Sequence, residues 1–130
     1  MTTDLAMLVA TAVLCLLMPM IYLVGRLQTP GGVQWGIGNR AEPFQPPEWA
    51  ARAQRAHLNL VENLAPFAIL VLVAHVGGKA NALTALGAQL FFWARVAHVA
   101  VYTAGITGVR TAVFFVGMLG ELLILIQLFR

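Results

Sequence analysis

The chain has 130 residues, 60% of them hydrophobic and only 10% charged, with a mean hydropathy of +0.82 and a formal charge of +3. So apolar a composition excludes an ordinary water-soluble domain, and a single cysteine excludes an intramolecular disulfide. The basic balance, with a pI near 9.8, comes without interleaved basic and aromatic residues, so nucleic acid is not an expected partner and membrane lipids with anionic headgroups are.

The first apolar run, residues 5–24, carries no charge and approaches the ~20 residues that span about 30 Å of hydrocarbon. It is too long for a signal-peptide core and has neither a basic leader nor a small-residue cleavage site, so it is expected to be a retained helix. Pro19 is expected to kink it, and Cys15 to pack inside it. Residues 28–49 contain four of the six prolines, Pro30, Pro43, Pro46 and Pro47, together with Gly31, Gly32, Gly36 and Gly38, which predicts a surface loop.

Three further runs, residues 60–76, 82–101 and 111–128, predict three more spanning helices. Tight connections are expected at Gly77-Gly78-Lys79 and between Gly105 and Gly108. Lipid offers no hydrogen bonds to a backbone, so the predicted fold is all-α: one domain over residues 1–130, an integral membrane four-helix bundle with antiparallel neighbours. Arg26, Arg40, Arg52, Arg55 and Arg110 flank the first and third connections, whereas the other side has Lys79 and Arg130. The excess of positive charge predicts that both termini are non-cytoplasmic.

The second helix carries most of the polar residues. At about 100° per residue, Arg52, Arg55, Asn59, Glu62 and Asn63 share an arc of roughly 100°, and His57 points nearly opposite. Arg95, His98 and Tyr102 form a comparable stripe on the third helix. Ionisable groups at membrane depth are costly unless they face a bundle interior, so the two stripes are expected to face one another. Glu62 lies ten residues past Arg52, ~15 Å inward, and Arg95 lies comparably deep, which predicts a structural Glu62–Arg95 ion pair. That pairing leaves Arg55, Asn59, His98, Tyr102 and Arg110 for a ligand. Pro66 should kink the second helix beyond them, and Glu121 is expected to be neutral or paired across a subunit contact.

Other polar residues read as structural. Arg52 reads as an interfacial anchor and His75 as an interface residue, His57 as packed or headgroup-facing, and Trp35, Trp49 and Trp93 as interface or core aromatics. The three histidines share neither face nor depth, so no metal site is expected.

The runs Arg55-Ala-His-Leu-Asn59-Leu-Val-Glu62-Asn63, Pro66-Phe67 and Ala94-Arg95-Val-Ala-His98-Val-Ala-Val-Tyr102 resemble the MAPEG family, the membrane-associated proteins in eicosanoid and glutathione metabolism. The likeness extends from Gly25-Arg26 to Arg110-Thr111. It implies a homotrimer whose sites lie between adjacent subunits near the cytoplasmic face and bind glutathione. Arg55, Asn59 and Glu62 match positions that hold the tripeptide, Arg26 a further carboxylate contact, and His98 and Tyr102 the residues that complete the pocket. Arg110 matches the arginine placed near the sulfur, Thr111 follows where prostaglandin-synthesising members carry a serine, and Arg95 matches a structural arginine.

This resemblance implies a glutathione transferase or peroxidase acting on lipophilic electrophiles, with Arg110, Thr111 and Tyr102 as its catalytic set. A non-catalytic accessory or assembly subunit that keeps the fold is the alternative. Leu58 and Phe114 replace an arginine and a tyrosine of the prostaglandin-synthesising branch, which points away from eicosanoid synthesis. The Pro-rich first loop looks more like bacterial members, implying a bacterial inner membrane.

Overall fold

The computed structural model describes residues 1–130 and is entirely helical: α1 (Thr3–Leu27), α2 (Gly32–Ile37), α3 (Glu48–Val76), α4 (Ala82–Ala104) and α5 (Thr107–Leu128). Four of the five, α1, α3, α4 and α5, are long and apolar enough to cross a membrane. Large apolar side chains cover their outer faces, with Leu16, Leu119 and Phe115 all exposed, as suits contact with acyl chains. Helix α3 begins at Glu48, well before its apolar run, so the polar arginine-bearing stretch is helical from the start.

The first connection, expected as a surface loop, contains the short helix α2. Trp35 of that helix stacks on Phe44 with ring centroids 5.0 Å apart, and its indole N–H donates to the Glu42 carbonyl at 2.7 Å. An aromatic pair and a satisfied indole give a segment of this length partners that proline and glycine content does not reveal.

The four long helices pack with α1 and α5 at opposite corners, both against α3 and α4. Phe67, Val71 and Ala74 of α3 meet Ala88 and Phe91 of α4 and Ile124 of α5 in the main core, where the Phe67 and Phe91 rings stack at 3.9 Å. Met18, Ala56 and Leu60 form a smaller cluster between α1 and α3. Pro19 and Pro66 are both accommodated inside continuous helices.

Helices α4 and α5 touch backbone to backbone. A Cβ on Gly87 would fall 2.5 Å from the Gly120 carbonyl oxygen, and a Cβ on Gly120 equally close to that of Gly87. Close approach through paired small residues is how membrane helices associate when lipid removes the usual hydrophobic drive.

The end holding both termini and the α3–α4 turn is closed by polar groups, of which Asp4, Thr84 and Gln127 are buried. The Thr84 hydroxyl donates to Asp4 Oδ2 at 2.5 Å, and the Asn81 amide donates to Gln127 Oε1 at 3.3 Å. Asn81 also caps α4 through the Leu83 and Thr84 amides. These bonds join the start of α1, the start of α4 and the end of α5.

Gly87→Val places branched carbons where backbone now lies. It is expected to destabilise the protein by at least ~3 kcal/mol, whereas an equivalent change at lipid-exposed Leu119 has little effect; thermal unfolding in detergent measures both.

Candidate functional site

The opposite end of the bundle, where α3 begins and α4 turns into α5, holds a cleft of about 300 Å³ lined by Glu48, Arg52, Arg55, Tyr102, Gly105, Ile106, Thr107 and Arg110. Its size is at the lower bound of small-molecule sites, and its walls are unusually polar for an otherwise apolar protein. Three of the lining residues are arginines.

Each of these is positioned by local structure. Arg52 and Arg55 stand one turn apart on α3, and Arg52 Nε donates to the Thr103 carbonyl at 2.9 Å near the end of α4. The Arg52 Nη1 atom also lies 3.3 Å from Glu48 Oε2, one turn earlier. Helix α4 ends because Gly105 adopts φ +85, a left-handed conformation that other residues resist, and a Cβ there would be 3.3 Å from the Arg52 guanidinium carbon. Glycine therefore turns the chain and admits the arginine together. On the far wall, the Arg110 guanidinium lies over the Tyr102 ring, 4.7 Å from its centroid. Such stacking fixes a cation and strengthens where solvent is excluded.

Beneath the cleft the polar stripes meet. Arg95 is 1% exposed; its Nη1 donates to Asn59 Oδ1 at 3.1 Å and its Nη2 to Asn63 Oδ1 at 3.3 Å. The guanidinium also lies between Phe91 and Phe114, 4.8 and 5.1 Å from their centroids, and over Gly117. His98, buried above it, meets Tyr102 edge-to-face at 5.4 Å.

The expected Glu62–Arg95 ion pair is corrected by this geometry: the arginine takes two side-chain amides, and Glu62 faces outward from the single chain. Opposite charges at equal depth suggested the pair, but Asn59 and Asn63 reach the guanidinium from the inner side of the stripe. Asn59 is thus occupied below the cleft. Thr111 is exposed and, like Asn59, Glu62 and His98, is not part of the cleft wall.

Arg26 also lies elsewhere within one chain. Its Nη2 donates to Gln54 Oε1 at 2.7 Å, and its guanidinium sits over Tyr22 and Trp35 at 4.9 and 5.4 Å. His57, on the same side of α3, is packed: its ring nitrogens lie 3.5 Å from Cys15 Sγ and 3.3 Å from the Tyr22 hydroxyl. Glu121 is tucked against the bundle with Oε1 buried and unbonded within the chain.

The structure therefore joins Arg55, Tyr102 and Arg110 in one cleft and adds five residues that the sequence reading did not place there, two of them charged, Glu48 and Arg52. The four-residue spacing of Glu48 and Arg52 was the available signal, but it is as common on solvated helix ends as in sites.

Among known protein families, the model of the MAPEG family matches residues 6–130. No curated protein and no solved structure matches the chain.

Replacing Asn63 by leucine removes one of the two amide acceptors of the buried Arg95. The expected cost is ~1–3 kcal/mol in thermal or denaturant unfolding, while Glu62→Gln, at a carboxylate that makes no bond to Arg95, changes the midpoint less.

Proposed function

The chain belongs to the MAPEG family, an integral membrane family whose members generally use glutathione, and from that membership we propose that this protein binds glutathione and either joins it through its sulfur to lipophilic electrophiles or uses it to reduce lipophilic hydroperoxides. The observation that carries the reading is the cleft in which Arg52, Arg55 and Arg110 converge beside Tyr102. Glutathione has two carboxylates and one ammonium, and guanidinium groups are the side chains best shaped to hold carboxylates.

A thiol of pKa about 8.5 is mostly protonated at neutral pH, and only the thiolate attacks. Arg110, held in place by the Tyr102 ring, supplies positive charge that favours the thiolate, and the proton leaves to solvent. The Tyr102 hydroxyl, which lines the cleft, donates a hydrogen bond to the sulfur. In transfer, the sulfur forms a bond to an electrophilic carbon and the leaving group departs with its electron pair. With a hydroperoxide, the sulfur takes the distal oxygen, the other oxygen leaves as an alcohol after protonation, and a second glutathione converts the sulfenic acid to disulfide and water.

Within this reading Arg26 and Glu62 belong to a site completed by assembly, while Asn59 and His98 support it from beneath the cleft. Arg55 and Glu62 are exposed on a spanning helix, and Arg26 lies on another side of the chain from the cleft. Ionisable groups facing lipid are expensive. A homotrimer would cover them and bring Arg26 of one copy toward the cleft of the next.

Titrating glutathione into the purified protein while following thiolate absorbance in the ultraviolet tests the proposal. A saturable signal is expected, with Arg110→Ala abolishing it and Arg55→Ala weakening binding by about tenfold or more. Absence of binding at millimolar glutathione overturns it in favour of a non-catalytic accessory subunit that keeps the fold.

A further inference from the structure

The connection between α1 and α3 gathers charge and apolar surface that take no part in the cleft. Gly31, at φ +77, turns the chain, and Gly32 packs so closely on the last turn of α1 that a Cβ there would overlap the Arg26 carbonyl oxygen. Helix α2 therefore lies against the end of a spanning helix, where hydrocarbon gives way to headgroups. Its periodicity separates two faces. Val33 and Ile37, one turn apart, are 47% and 84% exposed. Trp35 lies opposite them, and the guanidiniums of Arg26 and Arg40 sit over its ring at 5.4 and 5.3 Å from the centroid.

Arg40 is the one non-glycine residue of the chain with a positive φ, +57, and its Nη2 donates back to the Gly36 carbonyl at 3.3 Å. The side chain is exposed and forms no ion pair, so four of its five N–H groups have no protein partner. Two guanidiniums gathered about one indole with no carboxylate between them repel each other, and a bound anion relieves that repulsion. We propose that α2 is seated in the headgroup layer of the membrane and that Arg40 binds the phosphate of an anionic phospholipid, while Val33 and Ile37 enter the acyl boundary on the opposite face. Aliphatic residues on one face, with arginine and tryptophan on the other, suit a helix lying in a membrane interface. A guanidinium matches a phosphate through paired N–H donors. Arg26, which also donates to Gln54, anchors the indole to α1 and leaves the lipid to Arg40. Around this end of the bundle Arg26, Arg40, Arg52, Arg55 and Arg110 outnumber Glu42 and Glu48, which favours an anionic lipid over a zwitterionic one.

Fluorescence of the full chain reconstituted in vesicles tests the site, with Trp49→Phe and Trp93→Phe leaving Trp35 as the one tryptophan. Phosphatidylglycerol or phosphatidylcholine, brominated near the headgroup end of the acyl chains, serves as the quencher. Trp35 is expected to be quenched by both, with a relative affinity about fivefold higher for phosphatidylglycerol at low salt. Arg40→Gln should remove that preference while quenching itself persists, Arg40→Lys should keep part of it, and Ile37→Ser should reduce quenching by both lipids. Equal affinity for the two lipids in this reporter chain, or a preference that survives Arg40→Gln, overturns the phosphate site. Quenching by aqueous acrylamide in place of brominated lipid puts α2 in water, and quenching by neither means that protein covers it; both overturn the seating of α2 in the membrane.

Discussion

A guanidinium buried among membrane-spanning helices is the constraint around which the polar half of this protein is arranged. Arg95 cannot keep its charge in a low-dielectric interior without partners, and α4 itself supplies it with no side-chain hydrogen-bond acceptor. Its two amide acceptors come from α3, its aromatic neighbours are Phe91 on α4 and Phe114 on α5, and Gly117 of α5 leaves room for it. One side chain thus ties three helices at a single depth.

The cleft follows from that anchorage. With α3 and α4 held in rotation by Arg95, the turns above it put Arg52 and Arg55 opposite Tyr102, and the left-handed turn at Gly105 returns the chain so that Arg110 stacks over the Tyr102 ring. His98 fills the space between, edge-on to Tyr102. Packed, hydrogen-bonded elements lie below, and the arginine rim lies above at the open end.

At the other end, Asp4, Thr84, Asn81 and Gln127 perform the closing role without an open face. Between the two polar ends the bundle is held by close contact alone, through the glycine crossing of α4 with α5 and the stacked phenylalanines of the core. The molecule therefore has a sealed end, a packed middle and one end that offers chemistry to solvent.

The four spanning helices, the all-α class and the MAPEG membership were legible in the sequence, because hydropathy is a local property and the α3 and α4 motifs lie in short stretches. Helical periodicity alone was enough to put Arg52, Arg55, Asn59, Glu62 and Asn63 on one face. What periodicity could not decide was which members of that face turn inward to α4 and which remain outward, since this depends on helix rotation and crossing angle. Tertiary structure gave Arg95 to Asn59 and Asn63 and left Glu62 outside. Tertiary structure also brought Glu48 and Arg52 into the cleft through the Thr103 carbonyl and Gly105, and paired Asp4 with Thr84 across eighty residues of chain. Each of these is a contact between distant segments, whose partners are chosen by packing and by the need to satisfy buried polar groups.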